Sequence, residues 1–243
     1  MKDGGRNAFA KQYHELVGQQ GDLDMNSIIN PEIFRLLGDC RGKRILGLGC
    51  GNGYFSFLLE KKWAKVIGID ISSKLISFAR ETAKNMKSKT EFLISDASSL
   101  KILKGQTFDS IVSNMAFMDI EDIEKTIKEC AKYLVKNGVL VFSISNPIYG
   151  ISERVFDKET KKYYLKTEKY GSNISIKNKN FGTIFHHRPI GFYLDALIKN
   201  GFNITAYQEL STPYHQGEIM KDKALISYKK EFPSFLIIGA GKE

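Results

Sequence analysis

The stretch from Arg44 to Phe55 constrains this chain more than any other. A short apolar run breaks into glycines at 47, 49, 51 and 53, and apolar residues then resume at helical rather than strand spacing in Phe55-Ser56-Phe57-Leu58-Leu59-Glu60. The pattern predicts a strand, a tight turn and a helix. Glycine accepts positive φ and has no side chain, so the main chain of such a turn can come within hydrogen-bonding distance of a bound molecule. The free N–H groups of the following helix point to the same place and favour electron-rich groups. The turn reads as a ligand cradle.

Glycine-rich turns after a first strand serve dinucleotides as well as other nucleoside cofactors. The dinucleotide spacing G-x-G-x-x-G fails here, because it meets Tyr54 when counted from Gly49 and Asn52 when counted from Gly47. What remains, Gly49-Cys50-Gly51-Asn52-Gly53, resembles the first motif of the class I S-adenosylmethionine-dependent methyltransferases, acidic-x-G-x-G-x-G. One position departs from that family. The acid two residues before the first motif glycine, which helps hold the methionine end of the cofactor, is Gly47 here. The resemblance implies S-adenosyl-L-methionine as cofactor, S-adenosyl-L-homocysteine as product, and an α/β doubly wound sheet of seven strands in the order 3-2-1-4-5-7-6, the last antiparallel.

At 243 residues, 42% hydrophobic and 26% charged, the chain suits a single packed domain over 1–243 with a small insertion. No apolar run approaches the roughly 20 residues that cross a bilayer, and the start, Met1 to Arg6, has no apolar signal core. Three cysteines, Cys40, Cys50 and Cys130, are odd in number and lack metal-ligand spacing, which predicts a reducing cytoplasm and no metal. The formal charge of +9 raises the question of nucleic acid. The basic residues are mostly dispersed lysines and the arginines do not cluster, which favours a solvated basic surface over an RNA-binding face.

Taken in order, Asn7 to Val17 reads as a helix with Phe9, Tyr13 and Leu16 on one side, and a second helix begins with Asn30 as N-cap and stops at Gly38. In the resembled family such helices, here 1–40, fold over the cofactor; Tyr13 either touches it or is an ordinary packing aromatic. The strand Ala64 to Asp70 ends in an acid about twenty residues past the glycines, where nucleotide folds place a ribose carboxylate. Asp70 and its neighbour Ile71 are therefore assigned to the cofactor. After a third strand, Thr90 to Ser95, the resemblance puts Asp96 at the adenine amino group and the Ala97 amide at a ring nitrogen.

The fourth strand, Phe108 to Asn114, should bring Asn114 and Met115 to the cofactor and Met118 to the acceptor, since ligands of open α/β sheets sit outside the carboxyl ends of strands. Enzymes that methylate base amines or glutamine amides often carry Asn or Asp, Pro-Pro and an aromatic here. Asn114-Met115-Ala116-Phe117 does not match. Asp119 is expected to cap a helix that stops at Asn137-Gly138, with a fifth strand from Gly138 to Ser145. The span from Met115 to Pro147 resembles the subgroup containing the ubiquinone and menaquinone C-methyltransferases, which act mainly on small molecules.

Residues 147–188 interrupt the alternation with short Tyr-rich strand patterns, predicting a β-rich insertion that roofs the substrate site. Next come a helix from Pro189 to Asn200 burying Ile190, Tyr193, Leu194, Leu197 and Ile198, two last strands, and between them a polar loop from Ser211 to Phe232 containing Tyr214 and His215. Adjacent His186 and His187 face opposite sides of a strand, so they make poor joint metal ligands. His187 is the candidate base or substrate contact, the other reading being a hydrogen-bonded structural histidine, with Tyr13 a second candidate; His186 is a candidate substrate contact, and Arg188 either binds an acidic substrate group or neutralises an acid nearby. The expected activity is methyl transfer to a small-molecule acceptor; the alternatives are an RNA or protein methyltransferase, or an inactive cofactor-binding relative. The sequence leaves the acceptor atom and the oligomeric state open.

Overall fold

The computed structural model describes residues 5–18, 21–177, 183–211 and 223–243. Two helices, α1 (Arg6–Val17) and α2 (Asn30–Leu37), precede the alternating units β1 (Arg44–Leu48), α3 (Tyr54–Lys61), β2 (Lys65–Asp70), α4 (Ser73–Met86), β3 (Glu91–Ile94), β4 (Phe108–Asn114), α5 (Ile123–Tyr133) and β5 (Leu134–Ser145). Two hairpins follow, β6 (Ser152–Asp157) with β7 (Lys162–Thr167) and β8 (Ile174–Lys177) with β9 (Ile184–His187). The chain then closes with α6 (Ile190–Lys199), β10 (Phe202–Leu210), α7 (Lys223–Glu231) and β11 (Phe235–Lys242).

The main sheet has seven strands in the order β3-β2-β1-β4-β5-β11-β10. Numbered as sheet strands alone this is 3-2-1-4-5-7-6, and β11 is antiparallel to both neighbours while the other pairs are parallel. The order reverses between β1 and β4, so the connections leaving these two strands run to opposite faces and a crevice opens at their carboxyl ends.

Each face of the sheet is covered because its strands alternate apolar residues outward on both sides. Leu46, Leu48, Ile111 and Phe142 pack with Ile123 and Ile127 of α5 and Leu197 of α6. Ile45, Val66, Val112 and Val141 pack with Ile33 and Leu37 of α2 and with Phe55 and Leu59 of α3.

Several local expectations change. The Asn30 side chain is not an N-cap, because a π-helical turn over Met25–Ile29 runs directly into α2 and puts Asn30 inside helical backbone. Asp119 does not cap α5; Phe117–Asp119 forms its own 3-10 turn, and Asp122 accepts from the Lys125 amide instead. α5 ends at Tyr133, and β5 starts at once, with Asn137 at φ 62 absorbing the register shift between the Phe108 and Ser110 pairings. Ile198 is 61% exposed, because α6 buries the Tyr193, Ala196 and Leu197 side. The segment expected to be a loop contains α7, whose Tyr228 packs against Phe232; Tyr214 and His215 lie outside the described residues.

Phe142 is fully buried, stacked on Phe117 at 4.4 Å and 6.0 Å from Tyr193. Phe142→Ala should lower stability by about 3–5 kcal/mol in urea unfolding, the usual cost of emptying a buried aromatic site. Ile198→Ala, on the exposed side of α6, should change it by less than about 0.5 kcal/mol.

Candidate functional site

The glycine turn after β1 is fixed by what surrounds it. Gly49 has φ 67, and a Cβ there would sit 2.5 Å from the Ala116 Cβ beyond β4. Gly53 has φ 84, and its Cβ would meet the Phe92 ring at 2.7 Å. Asp70, at the tip of β2, ties this turn to its own strand: its Oδ2 accepts from the Gly51 amide at 2.9 Å and its Oδ1 from the Ser72 amide at 2.9 Å. Ser72 in turn caps α4 by accepting from the Leu75 amide.

A hollow at this end of the sheet has two lobes, each of about 520 Å³. Arg6, Gly49, Asp70, Ala116 and Asp119 line both and form the partition between them. One lobe is walled by Ile71, Asp96, Ala97, Ser98, Ile184 and His186. The other is walled mostly by apolar groups from α1, from the tips of β4 and β5 and from the β8–β9 hairpin, among them Phe9, Leu16, Met115, Met118, Tyr149 and Phe185. Strand alternation in β9 explains the division, with Phe185 facing one lobe and Ile184 and His186 the other.

The helix α1 is strapped across the glycine turn. Its Asn7 Oδ1 accepts from the Ser72 hydroxyl at 2.8 Å and the Lys74 amide at 3.1 Å. His14 stacks on Phe78 at 4.4 Å, and the Asn52 amide donates to the Gly18 carbonyl at 2.9 Å. Tyr13 lies against Gly51, where a Cβ would meet its ring at 3.2 Å. Burial, and then the nearby Asp70 charge, push the Tyr13 hydroxyl well above its ordinary pKa, so it stands protonated and is unsuited to act as a base. The Cys50 thiol is likewise raised by burial and then by Asp70; it packs beneath the turn beside Gly47 and Gly68 and is no thiolate nucleophile.

At the tip of β4, Met115 adopts φ 57, an uncommon conformation for a non-glycine residue. It is held there by the Ser143 hydroxyl and carbonyl, which accept from its amide at 2.9 and 3.1 Å. The same Ser143 hydroxyl donates to Asn114 Oδ1 at 2.8 Å, and Asn114 Nδ2 donates to Asn30 Oδ1 at 3.0 Å. Asn30 also pairs with the Tyr54 hydroxyl and accepts its proton at 2.8 Å. This buried relay, which links α2, α3, β4 and β5, is what the side chain of Asn30 does in place of capping.

Two expected acceptor-site residues lie elsewhere. His187 is 1% exposed and lines neither lobe; its ring nitrogens face the carbonyls of Pro147 at 3.1 Å and Tyr170 at 2.9 Å, so it has no nitrogen free for a substrate proton. Arg188 is also buried outside both lobes, donating to the carbonyls of Ile120 at 2.7 Å and Glu121 at 2.6 Å, and it ties the start of α6 to the turn after β4. His186 does reach a lobe, on the Asp96 side; burial and then the Arg188 cation lower its pKa, so the ring is neutral near pH 7. Arg6 and Asp119 were missed as site residues. Nothing in local sequence places them together, since 113 positions separate groups that meet at 2.9 Å.

A scan of family models matches residues 39–189 to a methyltransferase domain. The chain belongs to the methyltransferase domain family. A protein of Haemophilus influenzae is 28% identical over 215 residues, 84% of each chain. A malonyl-[acyl-carrier protein] O-methyltransferase of Acetivibrio thermocellus is 32% identical over 51% of this chain and 43% of that one. A ubiquinone biosynthesis O-methyltransferase of Pelagibacter ubique is 35% identical over 42% of each. The chain thus spans less than half the length of either O-methyltransferase. Among solved structures, an S-adenosylmethionine-dependent methyltransferase from Mesorhizobium loti superposes with a TM-score of 0.73 at 26% identity, covering 87% of this chain and 96% of that one.

This methyltransferase uses S-adenosyl-L-methionine, and its hollow fits that cofactor: glycines at 49 and 51 whose main chain no side chain covers, the carboxylates of Asp70 and Asp96 beside the tips of neighbouring strands, and room on both sides of the turn. Asp70 and Asp96 with Ile71 and Ala97 would hold the nucleoside, and Gly49, Gly51, Tyr13 and Asn114 the amino-acid arm. When bound, the cofactor supplies an electrophilic methyl group on a sulfonium.

Two outcomes follow. Asp70→Ala should weaken S-adenosylhomocysteine binding by about 1–3 kcal/mol in calorimetry, the order for losing a charged hydrogen-bond acceptor; unchanged affinity would remove Asp70 from the nucleoside seat. His187→Ala should lower the unfolding free energy by about 1–3 kcal/mol, because it removes the buried ring that sits between the Pro147 and Tyr170 carbonyls, while affinity for the same ligand stays constant. A loss of affinity as large as that of Asp70→Ala would return His187 to the site.

Proposed function

We propose that this methyltransferase methylates a small, largely apolar acceptor, and that the acceptor occupies the lobe lined by Phe9, Leu16, Met115, Met118, Tyr149 and Phe185. The observation that carries the reading is this lobe itself: about 520 Å³, shared with the cofactor's amino-acid arm at Gly51, Tyr13 and Asn114, mostly apolar-walled, and joined to the nucleoside lobe across a partition of side chains. A volume of that order is typical of a small-molecule site. The N-terminal helices, 1–40, cover the cofactor, and the insertion, 147–188, supplies Tyr149, Ile176 and Phe185 as the outer wall of the acceptor lobe.

Methyl transfer asks the protein chiefly to align the nucleophile with the methyl carbon and keep water away. Met115, held at its positive φ by Ser143, and Met118 in the turn that follows give the lobe an apolar wall beyond the end of β4. The two named relatives are O-methyltransferases, which supports a hydroxyl or carboxyl oxygen as the first nucleophile to test.

An RNA acceptor gains little support. Among the described residues, Arg6 is the only lysine or arginine lining either lobe, and it is already paired with Asp119.

A panel of phenols, carboxylic acids, amines and bulk RNA, assayed for S-adenosylhomocysteine release, tests the reading. Release with a small hydroxyl or carboxyl compound is the expected result. Release with RNA alone, weakening steeply as salt rises, would replace it with the nucleic-acid reading.

A further inference from the structure

The ion pair between Arg6 on α1 and Asp119 in the turn after β4 stands in the partition between the two lobes, with its closest approach at 2.9 Å. Both side chains are about one-fifth exposed, at 19% and 20%, so each can be reached from the hollow. The cofactor carries a carboxylate on its amino-acid arm. Among the described residues, one guanidinium alone faces the space where that arm must lie.

The pair is not what keeps α1 in place. Asn7 is bonded to Ser72 and Lys74, His14 is stacked on Phe78, and Asn52 holds the Gly18 carbonyl. These contacts run along α1 from the residue after Arg6 to its C-terminal end and do not involve the guanidinium. Nor does the pair suit Asp119 well. Burial raises the Asp119 pKa above the ordinary carboxylate value in spite of Arg6, so desolvation outweighs the attraction of its partner. For Arg6, burial lowers the pKa, but Asp119 and Asp70 outweigh it and keep the guanidinium charged. A planar guanidinium is also the side chain best matched to a carboxylate that approaches edge-on.

We propose that the Arg6–Asp119 ion pair is exchangeable: Arg6 anchors the carboxylate of the cofactor's amino-acid arm, and Asp119 is the internal anion that arm displaces. The inference rests on the cofactor assignment made above. It makes Arg6 a binding residue and Asp119 a competitor for it. Removing either side chain should therefore have opposite effects on affinity, whereas a purely structural ion pair would give two losses.

The test compares S-adenosylhomocysteine with 5′-methylthioadenosine, which has the same nucleoside and a thioether but no amino-acid arm. Both are titrated by calorimetry into the wild type, Arg6→Ala, Arg6→Lys and Asp119→Asn. Arg6→Ala should weaken S-adenosylhomocysteine at least tenfold and leave methylthioadenosine within twofold, and Arg6→Lys should fall between wild type and Arg6→Ala. Asp119→Asn should tighten S-adenosylhomocysteine twofold or more, with methylthioadenosine unchanged. Methylthioadenosine binding also reports that each variant is folded. Equal losses for both ligands in Arg6→Ala, no loss for either, or weaker S-adenosylhomocysteine binding in Asp119→Asn would overturn the exchange. Failure of the wild type to bind either ligand would overturn the cofactor assignment itself, and the exchange with it.

Discussion

The carboxylate of Asp70 is the point on which the site turns. It reaches from the end of β2 to the Gly51 amide and, with its other oxygen, to the Ser72 amide at the head of α4, each at 2.9 Å. A glycine-rich turn left alone samples many conformations, and fixing it costs backbone entropy. Charge-assisted bonds to a buried carboxylate offset part of that cost and hold the turn in one conformation against the strand tips. The reversal of strand order between β1 and β4 makes the hollow, and Asp70 keeps its floor in shape.

Charge divides the molecule into two environments. The sequence carries a net charge of +9. The partition inside carries the opposite balance, Arg6 against Asp70 and Asp119, and Asp22 lines the apolar lobe. A sulfonium is a cation, so an acidic interior suits the methyl donor, while the lysines remain a solvated exterior.

Much of this was legible in the sequence because it rests on local rules. Apolar runs, helix stops such as Gly38, and the glycine spacing at 49, 51 and 53 depend on residues within a few positions of one another. The order and direction of all seven sheet strands followed from the resemblance those glycines carried. What escaped was decided by parity or by distant partners. His186 and His187 were correctly placed on opposite faces, yet which of the two looks into the hollow depends on the register of β9 against β8, which local pattern does not set. Asn30 looked like a cap because the second helical pattern begins at it, but the π-helical turn ahead of it and the relay through Asn114 and Tyr54 gave its side chain another task. Asp119 and Asp122 compete for one helix start, and the 3-10 turn at Phe117 settles it for Asp122.

The central claim is that one ligand spans both lobes across Gly49, nucleoside on the Asp70 and Asp96 side and amino-acid arm beneath α1. A crystal structure grown with S-adenosylhomocysteine tests it most directly. The account predicts adenine beside Asp96, ribose hydroxyls on Asp70, and the chain of the amino acid passing Gly49 toward Tyr13. Electron density placing adenine among Phe9, Met118 and Phe185, or a ligand that leaves the glycine turn untouched, would contradict it.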